Sequence, residues 1–256
     1  MTNLWVDQPA LRKQLSEFFN DNRKDLTAFG STVNQTFEAF VFAAIIEWYR
    51  ANGWSVEFVH PKKPGEAETV RLKFSTRGRP ENYSYARCQK GNSTIEIRHQ
   101  MRVETAHATP GQNPPANLCI DVAVLLAADR AGYSSTTAAP NAELLLFAEA
   151  KHMSAFAELV AQFIGMVHEM MPDKLSPAAV ASPEHLRPFL FVSGNFLRTA
   201  EGVIATAKRR SFQIEFFNHK TVLGGLGLPT VAPPPTTATR GPGGAGPPTA
   251  GTRSSP

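Results

Sequence analysis

Leu118-Cys119-Ile120-Asp121-Val122-Ala123-Val124-Leu125-Leu126 and Glu143-Leu144-Leu145-Leu146-Phe147-Ala148-Glu149-Ala150-Lys151 are the two stretches that decide the fold. Each is an apolar run of strand length. Strand side chains alternate in direction, so Glu149 and Lys151 share one face and Ala150 takes the other. The two strands bring an Asp, a Glu and a Lys to the edge of an otherwise greasy sheet. Charges in such surroundings need pairing or a metal. Two carboxylates and a lysine suit a divalent-metal site for cutting phosphodiesters.

Working outward, residues 154–171 read as an amphipathic helix with Phe156, Leu159, Val160, Phe163, Ile164 and Val167 inward. A buried strand is expected over 188–193, a helix over 197–210 and a closing strand over 212–217. Upstream, residues 31–51 predict a helix that is apolar almost all round, from Phe37, Phe40, Val41, Ala44, Ile45 and Trp48 with Phe42 and Ile46 nearly opposite. Such a helix is buried on more than one side. Asn52-Gly53 stops it.

Strands then read over 54–60, 69–74 and 94–103, the last placing Ile95, Ile97 and Met101 on one side and Glu96, Arg98 and Arg102 on the other. Residues 75–93, rich in Arg, Gly, Asn and Tyr, read as a substrate-facing loop, and 129–141 as a loop of small residues. A further helix is expected over 8–20. The fold class is α/β, a mixed central sheet flanked by helices on both faces. The domain spans 1–228, with its core at about 31–217, and 229–256 is a Pro/Gly/Thr-rich tail expected to be disordered.

With 256 residues, 42% of them hydrophobic, the chain can hold one sizeable core. No apolar run approaches the ~18–20 residues of a membrane span, and the first residues lack the basic-then-apolar pattern of a secretory signal. Cys88 and Cys119 give neither a disulfide framework nor zinc spacing, and Cys119 reads as a core residue. These features point to the cytoplasm. The net charge of +4 is uneven: residues 61–102 hold ten Lys/Arg and four Glu, a local +6. That stretch suits a polyanion such as DNA, with Arg77, Arg79 and Arg87 as contacts, and equally a solvated basic hairpin. Tyr83 and Tyr85 lie within it, able to stack on bases or to pack locally.

Asp121 followed by Glu149-Ala150-Lys151 on the next strand resembles the PD-(D/E)xK nuclease superfamily, with Phe37-Glu38-Ala39-Phe40-Val41 matching its preceding acidic helix. The resemblance covers roughly 31–217 in element order, although Ile120 stands where the pattern often has proline. It implies a restriction-endonuclease-like fold and a Mg²⁺-dependent DNA endonuclease, with Mn²⁺ able to substitute, in restriction or phage defence. It implies that Asp121, Glu149 and Glu38 bind the metal. Lys151 would orient or help deprotonate the attacking water. Glu47, on the other flank of the same helix, is the alternative acid. The alternative function is a catalytically silent nuclease-fold protein that binds DNA or a protein partner; the three charges together favour cutting. With no helix-turn-helix, target choice would fall to a homodimer or a partner. His60, His99, His107, His168 and His219 show no paired metal spacing, and His152, on the opposite face from Lys151, is not read as a ligand.

Overall fold

The computed structural model describes residues 25–27, 33–61, 69–109, 111–178 and 184–218. In chain order its strands are β1 (Asp25–Thr27), β2 (Ser55–Val59), β3 (Thr69–Arg71), β4 (Tyr85–Lys90), β5 (Ser93–Glu104), β6 (Asn117–Leu126), β7 (Leu144–Lys151), β8 (Phe189–Val192) and β9 (Glu215–Asn218). Its helices are α1 (Val33–Ala51), α2 (Ala157–Met170) and α3 (Arg198–Arg209). Seven strands form one mixed sheet in the order β2-β4-β5-β6-β7-β8-β9. Pairing is antiparallel from β2 to β7 and parallel from β7 through β8 to β9. β1 and β3 pair separately, in parallel.

The all-round apolar character of α1 has the expected consequence. Phe37, Val41, Phe42, Ile45, Ile46 and Tyr49 are buried, packed with Ile95, Ile97, Val122, Val124, Leu146, Phe189 and Phe191 on one sheet face. Gly53 ends the helix at φ +82°, where a side chain is disfavoured, and Trp54 N–H donates back to Tyr49 O at 3.1 Å. The other face carries Ala123, Leu125, Phe147, Leu190 and Val192 against Leu159, Val160 and Phe163 of α2 and Ala200 and Ile204 of α3. Helices thus cover both faces, and among the described residues none is long and apolar enough to cross a membrane.

Several expectations change. The loop read over 75–93 contains β4, an interior strand between β2 and β5. Its polar letters concealed it because only Ala86 and Cys88 are buried while Arg87 and Gln89 face solvent. The strand read over 69–74 is shorter and outside the main sheet. Phe156 is exposed rather than inward: Ala155 forms a bridge with Phe196, which turns the next residue out, and α2 begins one residue later. Along β5, Ile95 and Ile97 pack on the α1 side but Met101 and Val103 pack on the other. The switch falls at Gln100, whose backbone has φ +52°. The helix read over 8–20, the first two residues of that read over 31–51, and the tail from 229 lie outside the described residues.

Candidate active site at a fork between two strands

The β6–β7 ladder ends at Val122↔Ala148. Beyond it the strands part: β6 stays with β5, through Met101↔Ile120, and β7 stays with β8, through Glu149↔Leu190 and Lys151↔Val192. Asp121 and Glu149 are the first residues past the last rung, one on each arm. A fork exposes backbone N–H groups that the ladder no longer satisfies. Here the acids satisfy them: Ala150 N–H donates to Asp121 Oδ2 at 2.9 Å, and Asp121 N–H to Glu149 Oε1 at 3.3 Å. Asp121 and Glu149 are both buried.

Lys151 closes the group. Its Nζ donates to Asp121 Oδ2 and to Glu149 Oε2, each at 2.8 Å. Burial, then the charge of Asp121, pushes the Glu149 carboxyl up to about 8, against the opposing pull of Lys151. Burial disfavours the charge on Lys151, but Glu149 and Asp121 outweigh it and hold the amine above its ordinary range. The lysine is therefore the settled charge of the cluster. Removing a carboxylate from water costs several kcal/mol even after relaxation, so two acids and one base are a costly set to place at a strand end for stability alone.

Across the fork, α1 presents Glu38. The side-chain nitrogen of Gln100 donates to Glu38 Oε2 and to Asp121 Oδ1, each at 3.0 Å. His99 Nε2 lies 3.2 Å from Glu38 Oε2, although among the described residues this buried nitrogen has no partner of hydrogen-bonding geometry. His99 Nδ1 meets the backbone oxygen of Lys73. Lys73 is itself buried and donates to Gln100 O at 2.8 Å; burial lowers its pKa. Glu47, the alternative helix acid, pairs instead with Arg50 at 2.6 Å. The structure thus brings Glu38, Asp121, Glu149 and Lys151 to one place.

Gln100, His99 and Lys73 were not singled out as site residues by sequence. The odd-numbered apolar series through Ile95, Ile97, Met101 and Val103 hides the change of face. Cys119, read as a core residue, is only half-buried, with Sγ 3.5 Å from Gln100 Oε1. His152 lies 6.1 Å from the Phe37 ring, between centroids.

Arg77, Arg79 and Arg87 are exposed, and no contact joins them to the acids. Arg77 and Arg79 sit on the segment that leaves Lys73, and Arg79 approaches Glu81 at 3.5 Å. Arg87 lies on β4 with Nη2 2.8 Å from the Tyr85 hydroxyl. It faces a groove of about 770 Å³ that Tyr83, Tyr85, Arg98 and Arg130 also line. The Arg98 guanidinium sits over the Tyr85 ring, its carbon 3.7 Å from the ring centroid. Carboxylates of Glu81, Glu96 and Asp129 in the same lining offset its cations.

The donor chemistry fits a hard divalent cation, since the carboxylate oxygens of Asp121, Glu149 and Glu38 are the ligand type such ions take. Among the described residues no group of three or more His, Cys, Asp or Glu is gathered closely enough to hold a metal. The spaces between the acids are spanned by nitrogen donors, Lys151 Nζ on one side of Asp121 and Gln100 Nε2 on the other. Comparison of the chain with protein-family models, curated proteins and solved structures finds no match to any of them.

Proposed function

We propose that the chain is a divalent-metal-dependent nuclease that hydrolyses phosphodiester bonds of DNA. The observation that carries this reading is the fork itself: the Asp121 and Glu149 carboxylates each lie 2.8 Å from the Lys151 amine, where two central strands of an apolar sheet part, with Glu38 joined to Asp121 through Gln100. Buried ionisable groups that shift one another's pKa cluster at functional sites.

Asp121, Glu149 and Glu38 would hold Mg²⁺ or Mn²⁺. When bound, the ion supplies Lewis acidity and lowers the pKa of a coordinated water. The chain's own residues do the rest. In the metal-free protein both acids favour the charge on Lys151. It would orient the attacking water and offset negative charge building on the phosphate. Ala150 N–H fixes the Asp121 carboxylate in rotation. Arg77 and Arg79, on the segment that leaves Lys73, would hold flanking phosphates as point charges.

The test is purified protein with plasmid, linear and single-stranded DNA in Mg²⁺, Mn²⁺ or EDTA. Metal-dependent cutting that EDTA abolishes is the expected result. One observation favours a second reading, a silent binder of DNA or of a protein: Lys151 Nζ already fills the space between Asp121 and Glu149. DNA retention without cleavage in any metal selects that reading.

A further inference from the structure

Gln100 is the residue of β5 with a positive φ. It stands opposite Asp121, between the pairs His99↔Val122 and Met101↔Ile120. Its backbone is left-handed, at φ +52°, a conformation that disfavours side chains other than glycine and a few short polar ones. Strain of this kind persists only where the surroundings fix it, and it gathers at functional sites. Every polar group of the residue outside its own amide has a partner. Its carbonyl accepts from the buried Lys73 at 2.8 Å, its Oε1 from Cys119 Sγ at 3.5 Å, and its Nε2 donates to Glu38 and Asp121 at 3.0 Å each.

The position of Nε2 is the informative one. One nitrogen with two protons touches two carboxylates from different layers, α1 and the sheet. Without it, two carboxylates would face each other, Asp121 buried and Glu38 half-buried. A divalent cation would relieve the same repulsion from the same place with more charge. The other flank of Asp121 is held by Lys151, whereas on the Glu38 side the two carboxylates are bridged by a neutral amide, with His99 Nε2 3.2 Å from Glu38 Oε2.

We propose that Gln100 is a positioning residue that stands in for the cation. Its amide holds Glu38 and Asp121 as a pair in the cation-free protein and turns aside when the ion binds between them. Lys73, by fixing the Gln100 carbonyl, keeps the backbone in place while the side chain moves. The inference rests on the metal-dependent reading of the site and adds to it an order of events on one side of Asp121.

The test is calorimetric titration of Mg²⁺ and Mn²⁺ into wild type, Gln100→Ala and Gln100→Gly, with Asp121→Ala as control. Glycine accepts a positive φ at no steric cost, so it removes the amide without threatening the strand. Both Gln100 variants should bind the ion more tightly than wild type, by about threefold or more, because a competing pair of hydrogen bonds to charged groups is gone. Their thermal midpoints in EDTA should fall, and saturating Mn²⁺ should restore them. A residue that is only structural would weaken ion binding or leave it unchanged. Binding in the variants no tighter than in wild type overturns the stand-in role while leaving the metal site. No binding in wild type or in either Gln100 variant overturns the metal-dependent reading itself, and the stand-in role with it.

Discussion

Asp121 and Glu149 exchange hydrogen bonds across the fork: the Asp121 carboxylate accepts from the N–H that follows Glu149, and the Glu149 carboxylate accepts from the N–H of Asp121. The reciprocity lets two strands separate without leaving buried donors unpaired. It also fixes both acids in rotation before any ligand arrives. A site held to such geometry by backbone groups is preorganised, and preorganised charge is where electrostatic catalysis draws its advantage.

That arrangement should cost stability. Replacing the charged set by neutral groups of similar shape, as Asp121→Asn, Glu149→Gln and Lys151→Met together, should leave the thermal midpoint equal to or above that of wild type. The reason is that burying charges costs more than their mutual attraction returns in many proteins. Lys151→Met alone should lower the midpoint by several degrees, since it leaves two acids facing each other. A triple variant far less stable than wild type would assign the cluster to the core rather than to a site. Differential scanning calorimetry in EDTA measures both.

The pH dependence follows from Glu149. Its carboxyl is raised from an ordinary 4.5 to about 8. Between those values the folded protein keeps a proton that the unfolded chain has released, so stability falls as pH rises through that window. Lys151, held above its ordinary range, keeps its charge throughout the window and adds no slope there. The midpoint of wild type minus that of Glu149→Gln, measured in EDTA from pH 4.5 to 8.5, should therefore decrease steadily. A difference independent of pH would place the Glu149 carboxyl at an ordinary value.

The salt dependence of DNA binding should report the exposed arginines. Log affinity falls with log salt at a slope of roughly −0.9 per phosphate contact on duplex. Arg77→Ala, Arg79→Ala and Arg87→Ala combined should flatten the slope by up to about three such contacts, with the midpoint unchanged because all three side chains are exposed. An unaltered slope moves the DNA surface elsewhere. If Arg87→Ala alone has no effect while the other two do, DNA follows the segment leaving Lys73 and not the β4 groove.

The two apolar runs were legible because alternation and burial coincide there: Phe147 and Ala148 take opposite faces, and so fix Glu149 and Lys151. Helix α1 was legible for the same reason, to its glycine stop. The β4 strand was not, because its buried residues are the small Ala86 and Cys88 and its outward ones are Arg87 and Gln89, a pattern shared with loops. Gln100 was beyond reach of periodicity. Its importance comes from a change of face in mid-strand, and the letters on either side, His99 and Met101, continue the series as though nothing had happened. Glu38 and Glu47 could not be separated along a helix with apolar residues on nearly every side. Tertiary contacts decide between them, Gln100 meeting the first and Arg50 the second.

The central claim is that the fork cleaves DNA with a divalent metal, and single-turnover cleavage of plasmid in Mn²⁺ by wild type, Asp121→Ala, Glu149→Ala, Lys151→Ala and the three alanine changes combined tests it most directly. Each single change should reduce the rate by about a hundredfold or more, and the triple by little beyond the worst single, because groups acting as one unit are strongly non-additive. Full cleavage by Lys151→Ala, or cleavage by wild type that persists in EDTA, would contradict the assignment.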